Sequence, residues 1–109
     1  MCILSIAKSF SETPGPRYTA EGNYSGEKFR SELLEPQYLS AKTNGEQLLV
    51  DLDGTDGYAT SFLEEAFGGL ARQFPCDDLL RVLRFKSEDE PFLEDEIRKY
   101  IREANQLAA

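Results

Sequence analysis

The chain has 109 residues, 12 Lys and Arg against 20 Asp and Glu, no His and a formal net charge of -8. Without histidine it has no Ser-His-Asp or Cys-His machinery, no His-ligated metal and no His-based pH switch. The acid excess is spread over both halves, 5 basic and 8 acidic groups in 1–54 against 7 and 12 in 55–109, and argues against nucleic acid or an anionic membrane as the main partner.

The length and the 40% hydrophobic content fit one domain, 1–109, with a real core. Cys2 and Cys76 are too few for a disulfide scaffold and read as reduced thiols. The apolar run from Met1 to Ala7 is far shorter than the ~20 residues that span a bilayer, and Lys8 interrupts it before any signal-peptide pattern develops. The expectation is a cytoplasmic protein.

Residues 1–10 are rich in Ile, Leu and Phe and predict a strand, or two short strands joined by a bend. Residues 11–26 carry two Pro and three Gly and predict a loop. Ser25 is placed to cap a helix through Glu27–Leu34, with Phe29, Leu33 and Leu34 on one side and an end before Pro36. Gln47–Asp53 is the clearest strand. Its Leu48-Leu49-Val50 run predicts burial on both faces at the centre of a parallel or mixed sheet.

After a turn at Gly54–Ala59, the segment 61–74 reads as the best helix. Phe62, Leu63, Ala66, Phe67, Leu70, Ala71 and Phe74 recur at three- and four-residue spacing, behind a Ser61-x-x-Glu64 capping box. Gly68-Gly69 inside it predicts close packing against the sheet. Leu79–Phe85 alternates like a less buried strand. A last helix opens at Pro91 behind Glu88-Asp89-Glu90, with an apolar stripe of Leu93, Ile97, Tyr100, Ile101 and Ala104. The order β–loop–α–β–α–β–α predicts a small α/β layer fold, a mixed, mostly parallel sheet with helices packed on it.

Two motifs carry chemistry. Asp51-Leu52-Asp53-Gly54-Thr55, at a strand's carboxyl end, resembles the D-x-D-G-T opening of haloacid-dehalogenase-type phosphatases. That resemblance implies Asp51 as nucleophile, Asp53 as acid/base and magnesium held between them. The remainder of that pattern is missing: 46 residues precede Gln47, Asp77-Asp78 comes before its strand, and Lys86 stands alone.

The second motif is the whole segment LLVDLDGTDGYATSFLEEAFGGLARQF, taken with FSETPGPRYTAEGNYSGEKFRSELL upstream. Together they resemble the STAS-like domain of unknown function of bacterial proteins, itself similar to STAS domains and anti-sigma-factor antagonists. In the antagonists a D-S-S-G or D-S-T-G sequence opens a helix after a buried strand, and its Ser or Thr is phosphorylated by a histidine-kinase-like ATPase. That motif falls on Ala59-Thr60-Ser61-Phe62, with Ala in place of its Asp and Phe in place of its Gly. The resemblance implies Ser61 as phosphoacceptor, with Thr60 beside it.

A phosphate at Ser61 would meet the positive end of a helix and add ~1.5–2 negative charges among Asp51, Asp53, Asp56, Glu64 and Glu65. The simpler role for Ser61 is a helix cap worth ~1 kcal/mol. Ser25-Gly26 behind Arg17 resembles a weak anion nest. Arg17 can there hold a phosphate, a partner's carboxylate, or Asp51 and Asp53; turn chemistry alone also accounts for the loop. Tyr18, Tyr24, Tyr38 and Tyr58 fall in predicted loops, where aromatic rings suit a partner surface.

The sequence thus predicts a non-enzymatic, STAS-like regulatory interaction module with no cofactor and no metal. The implied partner is a histidine-kinase-like ATPase or another signalling or defence protein, met through Arg17, Ser25, Gly26, Asp51, Asp53, Asp56 and Tyr58. The alternative is a small magnesium-dependent phosphatase.

Overall fold

Three short apolar segments pair side by side, with Leu4, Leu48, Val50 and Leu83 on the face they bury. The computed structural model describes residues 2–108; Met1 and Ala109, the ends of the predicted domain, lie outside them. Strands β1 (Cys2–Ser5), β2 (Leu48–Asp51) and β3 (Leu83–Lys86) form one parallel sheet with β2 in the middle. Leu4 pairs with Val50 and Val50 with Phe85. Leu4, Leu48, Val50 and Leu83 are buried in the core. The opposite face carries Ile3, Leu49 and Arg84 in register, and the helices leave it partly open: Ile3 is 67% exposed and Leu49 half-covered. The burial of β2 on both faces therefore holds fully for one face alone.

Five helices are described: α1 (Ile6–Ser9), α2 (26–43), α3 (60–71), α4 (Cys76–Val82) and α5 (Leu93–Ala108). Ile6–Ser9 is thus a helical turn, where the strand, or a second short strand, was expected; the Ser5 hydroxyl accepts from the Lys8 amide at 3.2 Å and turns the chain.

Helix α2 begins as predicted, with Ser25 as its N-cap, but runs through Pro36 to Thr43. Its middle is a π-turn at Arg30–Leu34, in which the Glu35 amide reaches the Arg30 carbonyl five residues back. The wider turn gives the proline ring the room that an α-turn denies it. Tyr38, expected in a loop, lies on this helix, fully buried and packed on Phe74 with ring centroids 5.3 Å apart.

Helix α3 starts at Thr60 with Ala59 as N-cap, and it too contains a π-turn, Glu64–Gly68. Ser61 is therefore the second residue of the helix, and the expected capping box does not form. The apolar stripe from Phe62 to Ala71 is buried as predicted, with Phe74 partly so. Gly68 and Gly69 do mark close packing, but against other helices. A methyl at Gly69 would run into the Arg30 guanidinium of α2; one at Gly68 would press the Glu64 carboxylate and lie 3.7 Å from Ala104 of α5.

The predicted strand Leu79–Phe85 is mostly helix. Asp77 and Asp78 favour the first turn of α4, Leu79 and Val82 are buried one turn apart, and the chain becomes strand at Leu83, opposite Leu48. Helix α5 begins two residues after Pro91 and buries Leu93, Ile97, Ile101 and Ala104 against the π-turn of α3 and against α4.

Candidate functional site

The candidate residues lie where β2 ends and α3 begins, at the carboxyl end of the central strand, where α/β folds place their sites. After Asp51 the chain makes one more sheet bond, Leu52 N–H to the Lys86 carbonyl at 2.8 Å. It then turns through Gly54 and Gly57, whose φ of 91° and 123° suit glycine. The Tyr58 hydroxyl closes the loop by donating to the Leu52 carbonyl at 2.7 Å, and its ring packs on Phe62 at 5.9 Å. Burial pushes this hydroxyl up to about 12. Asp56 is exposed at the tip, its amide held by the Glu12 carbonyl at 2.9 Å.

Asp51 and Asp53 are engaged in this framework. Asp51 Oδ1 accepts the Asp53 amide at 3.0 Å. Asp53 Oδ1 accepts the amides of Glu88 and Asp89 at 2.8 and 2.9 Å, and its Oδ2 meets Lys86 Nζ at 3.2 Å. In return, Asp89 Oδ2 accepts the Gly54 amide at 3.0 Å. The Asp89 amide, with Lys86 and the Glu88 amide, holds the Asp53 carboxyl below the usual carboxylate range. This is a clasp between the loops that follow β2 and β3. Among the described residues no group of three or more acidic or Cys side chains is placed to hold a metal.

At the start of α3, Thr60 is exposed and Ser61 half-buried. Ala59 supplies no side-chain cap, and among the described residues the amides of Thr60 and Ser61 meet no acceptor. The start of α2 is the opposite case. The Pro16 and Arg17 carbonyls accept the Gly26 and Glu27 amides at 2.9 and 3.0 Å; Ser25 Oγ and its carbonyl take those of Lys28 and Phe29, each at 3.0 Å. The Gly26, Glu27 and Lys28 amides are thus all occupied, which leaves the expected anion nest at Ser25-Gly26 without the Gly26 donor. Gly26 serves contact: a methyl there would lie 2.5 Å from the Phe62 carbonyl oxygen of α3.

Arg17 faces neither Asp51 nor Asp53. Its Nη1 lies 2.5 Å from Glu64 Oε1 and 3.5 Å from Glu65 Oε1. Arg72 holds Glu64 Oε2 at 2.9 Å, while Arg30 donates to the Glu65 carboxylate and, at 2.7 Å, to the Glu65 carbonyl. Burial pulls the Glu64 carboxyl upward, but hydrogen bonds from Arg72 and Arg17 outweigh it and leave it below the usual range. Glu64 and Glu65, expected to add to an acidic face around Ser61, are thus neutralised by three arginines. Sequence reasoning missed Arg30 and Arg72; the Gly68-Gly69 pair, which leaves room for Arg30 and for the Glu64 carboxylate that Arg72 holds, was the available signal. Of the tyrosines, Tyr18 and Tyr24 are exposed and Tyr58 is half-buried. Cys2 and Cys76 are free thiols, with Cys2 Sγ donating to Glu46 at 3.0 Å.

A parallel three-stranded sheet packed with helices, its candidate residues at the carboxyl end of β2, defines a small STAS-like layer fold. Residues 25–93, more than half of the chain, match the STAS-like domain of unknown function (DUF4325), and the protein belongs to that family. No curated protein and no solved structure matches the chain. The family suggests a regulatory module that works through protein partners. Among the described residues no helix is long and apolar enough to cross a membrane.

Proposed function

We propose that residues 1–109 act as one non-enzymatic STAS-like domain that binds a histidine-kinase-like ATPase or a comparable signalling or defence protein, and that phosphorylation of Ser61 switches the contact. The observation that carries this reading is the first turn of α3. Thr60 and Ser61 stand there with uncapped amides beside the exposed loop tip at Asp56. A phosphate on Ser61 would sit at the positive end of the helix, where free N–H groups favour an anion. In the transfer, the Ser61 oxygen bonds the γ-phosphorus of ATP, the bond to ADP breaks, and the hydroxyl proton passes to a base of the partner. Asp56, Tyr58 and the Gly54–Ser61 stretch form the contact surface, with Asp51 and Asp53 shaping it from beneath.

The test is partner capture from the native cell, followed by affinity measurements with the purified partner. Ser61→Ala should bind at least as tightly as the parent, and Ser61→Asp should bind at least tenfold more weakly. Equal affinities for the two variants would sink the switch.

A further inference from the structure

We propose that the domain pairs with a second copy of itself through the free edge of β1, so that two antiparallel β1 strands join the two sheets into one. Strand β1 lies at the edge of the sheet and is bonded to β2 on one side only. In a parallel pair, alternate residues turn their backbone groups toward the neighbouring strand. The Cys2 amide donates to the Gln47 carbonyl at 3.1 Å, so Cys2 and Leu4 face β2 while Ile3 and Ser5 face outward. Among the described residues, the Ile3 and Ser5 amides and the Ile3 carbonyl meet no backbone partner.

The two edges of the sheet differ. On β3, Arg84 and Lys86 are charged, Arg84 Nη1 donates to the Leu83 carbonyl at 3.0 Å, and the Arg98 guanidinium stands over the Phe85 ring at 5.6 Å. Charges and occupied carbonyls of this kind keep an edge from pairing. Strand β1, Cys-Ile-Leu-Ser, has no charge and no proline, and its Ile3 is 67% exposed. Such an edge is open to another strand.

The strand also complements itself. Two-fold symmetry makes the pairing antiparallel, and the outward groups of Ile3 and Ser5 are symmetric about Leu4. With the axis at Leu4, the Ser5 amide of each copy donates to the Ile3 carbonyl of the other, and the Ile3 amide to the Ser5 carbonyl. The start of one strand then lies beside the end of its twin. Glu46 marks the start of β1, where it accepts from Cys2 Sγ, and Lys8 marks its end, its amide on the Ser5 hydroxyl. Both side chains are exposed, and neither has an ion-pair partner among the described residues. Pairing brings these opposite charges toward each other twice, which favours a second copy over an unrelated strand.

The test is sedimentation velocity of the full chain over a concentration series reaching roughly 1 mM, where weak interfaces fill. A dimer should appear. Ile3→Lys sets a charge on the free edge without touching the core and should raise the dissociation constant roughly tenfold or more. Phe92→Lys, at another exposed apolar residue, should leave it unchanged. Glu46→Lys and Lys8→Glu should each weaken the dimer and, combined in one chain, restore it. A monomer at every concentration, or equal dissociation constants for the parent and Ile3→Lys, would overturn the proposal. Amide hydrogen exchange of the parent decides if Ile3→Lys does not fold, and it separates edge pairing from contact through the open sheet face. The Ile3 and Ser5 amides should exchange more slowly as the dimer fills. Rates that stay at their monomer values in the dimer would overturn the pairing.

Discussion

Arg30 and Glu65 join the π-turn of α2 to that of α3: the Arg30 guanidinium, from α2, donates to both the side-chain carboxylate and the backbone carbonyl of Glu65, on α3. Each π-turn widens its helix where the other helix meets it. Gly69, without a side chain, leaves the guanidinium its place. Glu65 is only 7% exposed, so its charge depends on this partner rather than on water.

Glu65→Ala should therefore cost about 3 kcal/mol, because it leaves the Arg30 charge largely buried and unpaired. Glu103→Ala removes an exposed pair with Lys99, 3.9 Å apart, and should change stability by less than about 0.5 kcal/mol. Urea unfolding of both variants beside the parent measures the contrast. Equal effects would refute the importance given to the Arg30 contact.

The start of α2 makes a second prediction. A methyl on Gly26 meets the backbone of Phe62, which cannot rotate aside as a side chain can. Gly26→Ala should lower stability by about 2 kcal/mol through overpacking. Gly45→Ala has open space around it and a φ of 69°, so it should cost only the left-handed backbone strain, about 1 kcal/mol. Thermal melts that rank Gly45→Ala as the worse variant would contradict the close approach of α2 to α3.

How much of this was legible depends on how far apart the interacting residues lie in the chain. Strand β2 was readable because Leu48-Leu49-Val50 precedes a turn rich in Asp and Gly. Helix α5 was readable because Leu93, Ile97, Ile101 and Ala104 recur at helical spacing. The segment 79–85 satisfies both periods, with Leu79 and Val82 one helical turn apart and Leu83 and Phe85 alternating. Only pairing of Leu83 with Leu48, 35 positions away, decides where helix ends and strand begins. Pro36 obeys a local rule that the π-turn before it overrides. At the candidate site, the place of Ser61 near the start of α3 was visible locally. The pairing of Arg17 with Glu64, 47 positions apart, was not, and it corrects the acidic surroundings expected for that serine.

Tyr58 offers an alkaline test. Tyr58→Phe removes the hydrogen bond to the Leu52 carbonyl and should cost about 1 kcal/mol at pH 8. In the unfolded chain this phenol ionises near ~10, but in the fold only at about 12, because it is buried. Its contribution is therefore complete below pH ~10 and is lost as pH rises through 12. The gap between parent and variant should close over that range. A gap that stays constant from pH 8 to 11 in urea unfolding would show that Tyr58 is not buried with its proton.

The clasp between the loops after β2 and β3 should fail in acid. Asp53 is held below its ordinary range by the Asp89 amide first, then by Lys86 and the Glu88 amide. The unfolded chain thus takes up this proton at a higher pH than the fold does. The stability Asp53 contributes is complete above the ordinary carboxylate value of ~3.9 and is lost as pH falls through the lower folded value. Asp53→Asn keeps an oxygen for the two amides but removes both the charge that Lys86 meets and the titration. The variant should be less stable than the parent at pH 7, and the difference should shrink steadily below pH ~4. Hydrogen exchange at the Glu88 and Asp89 amides gives the local readout: their protection should drop in the parent over the same interval. A stability difference unchanged between pH 7 and the acid limit would mean that the Asp53 charge contributes nothing to the clasp.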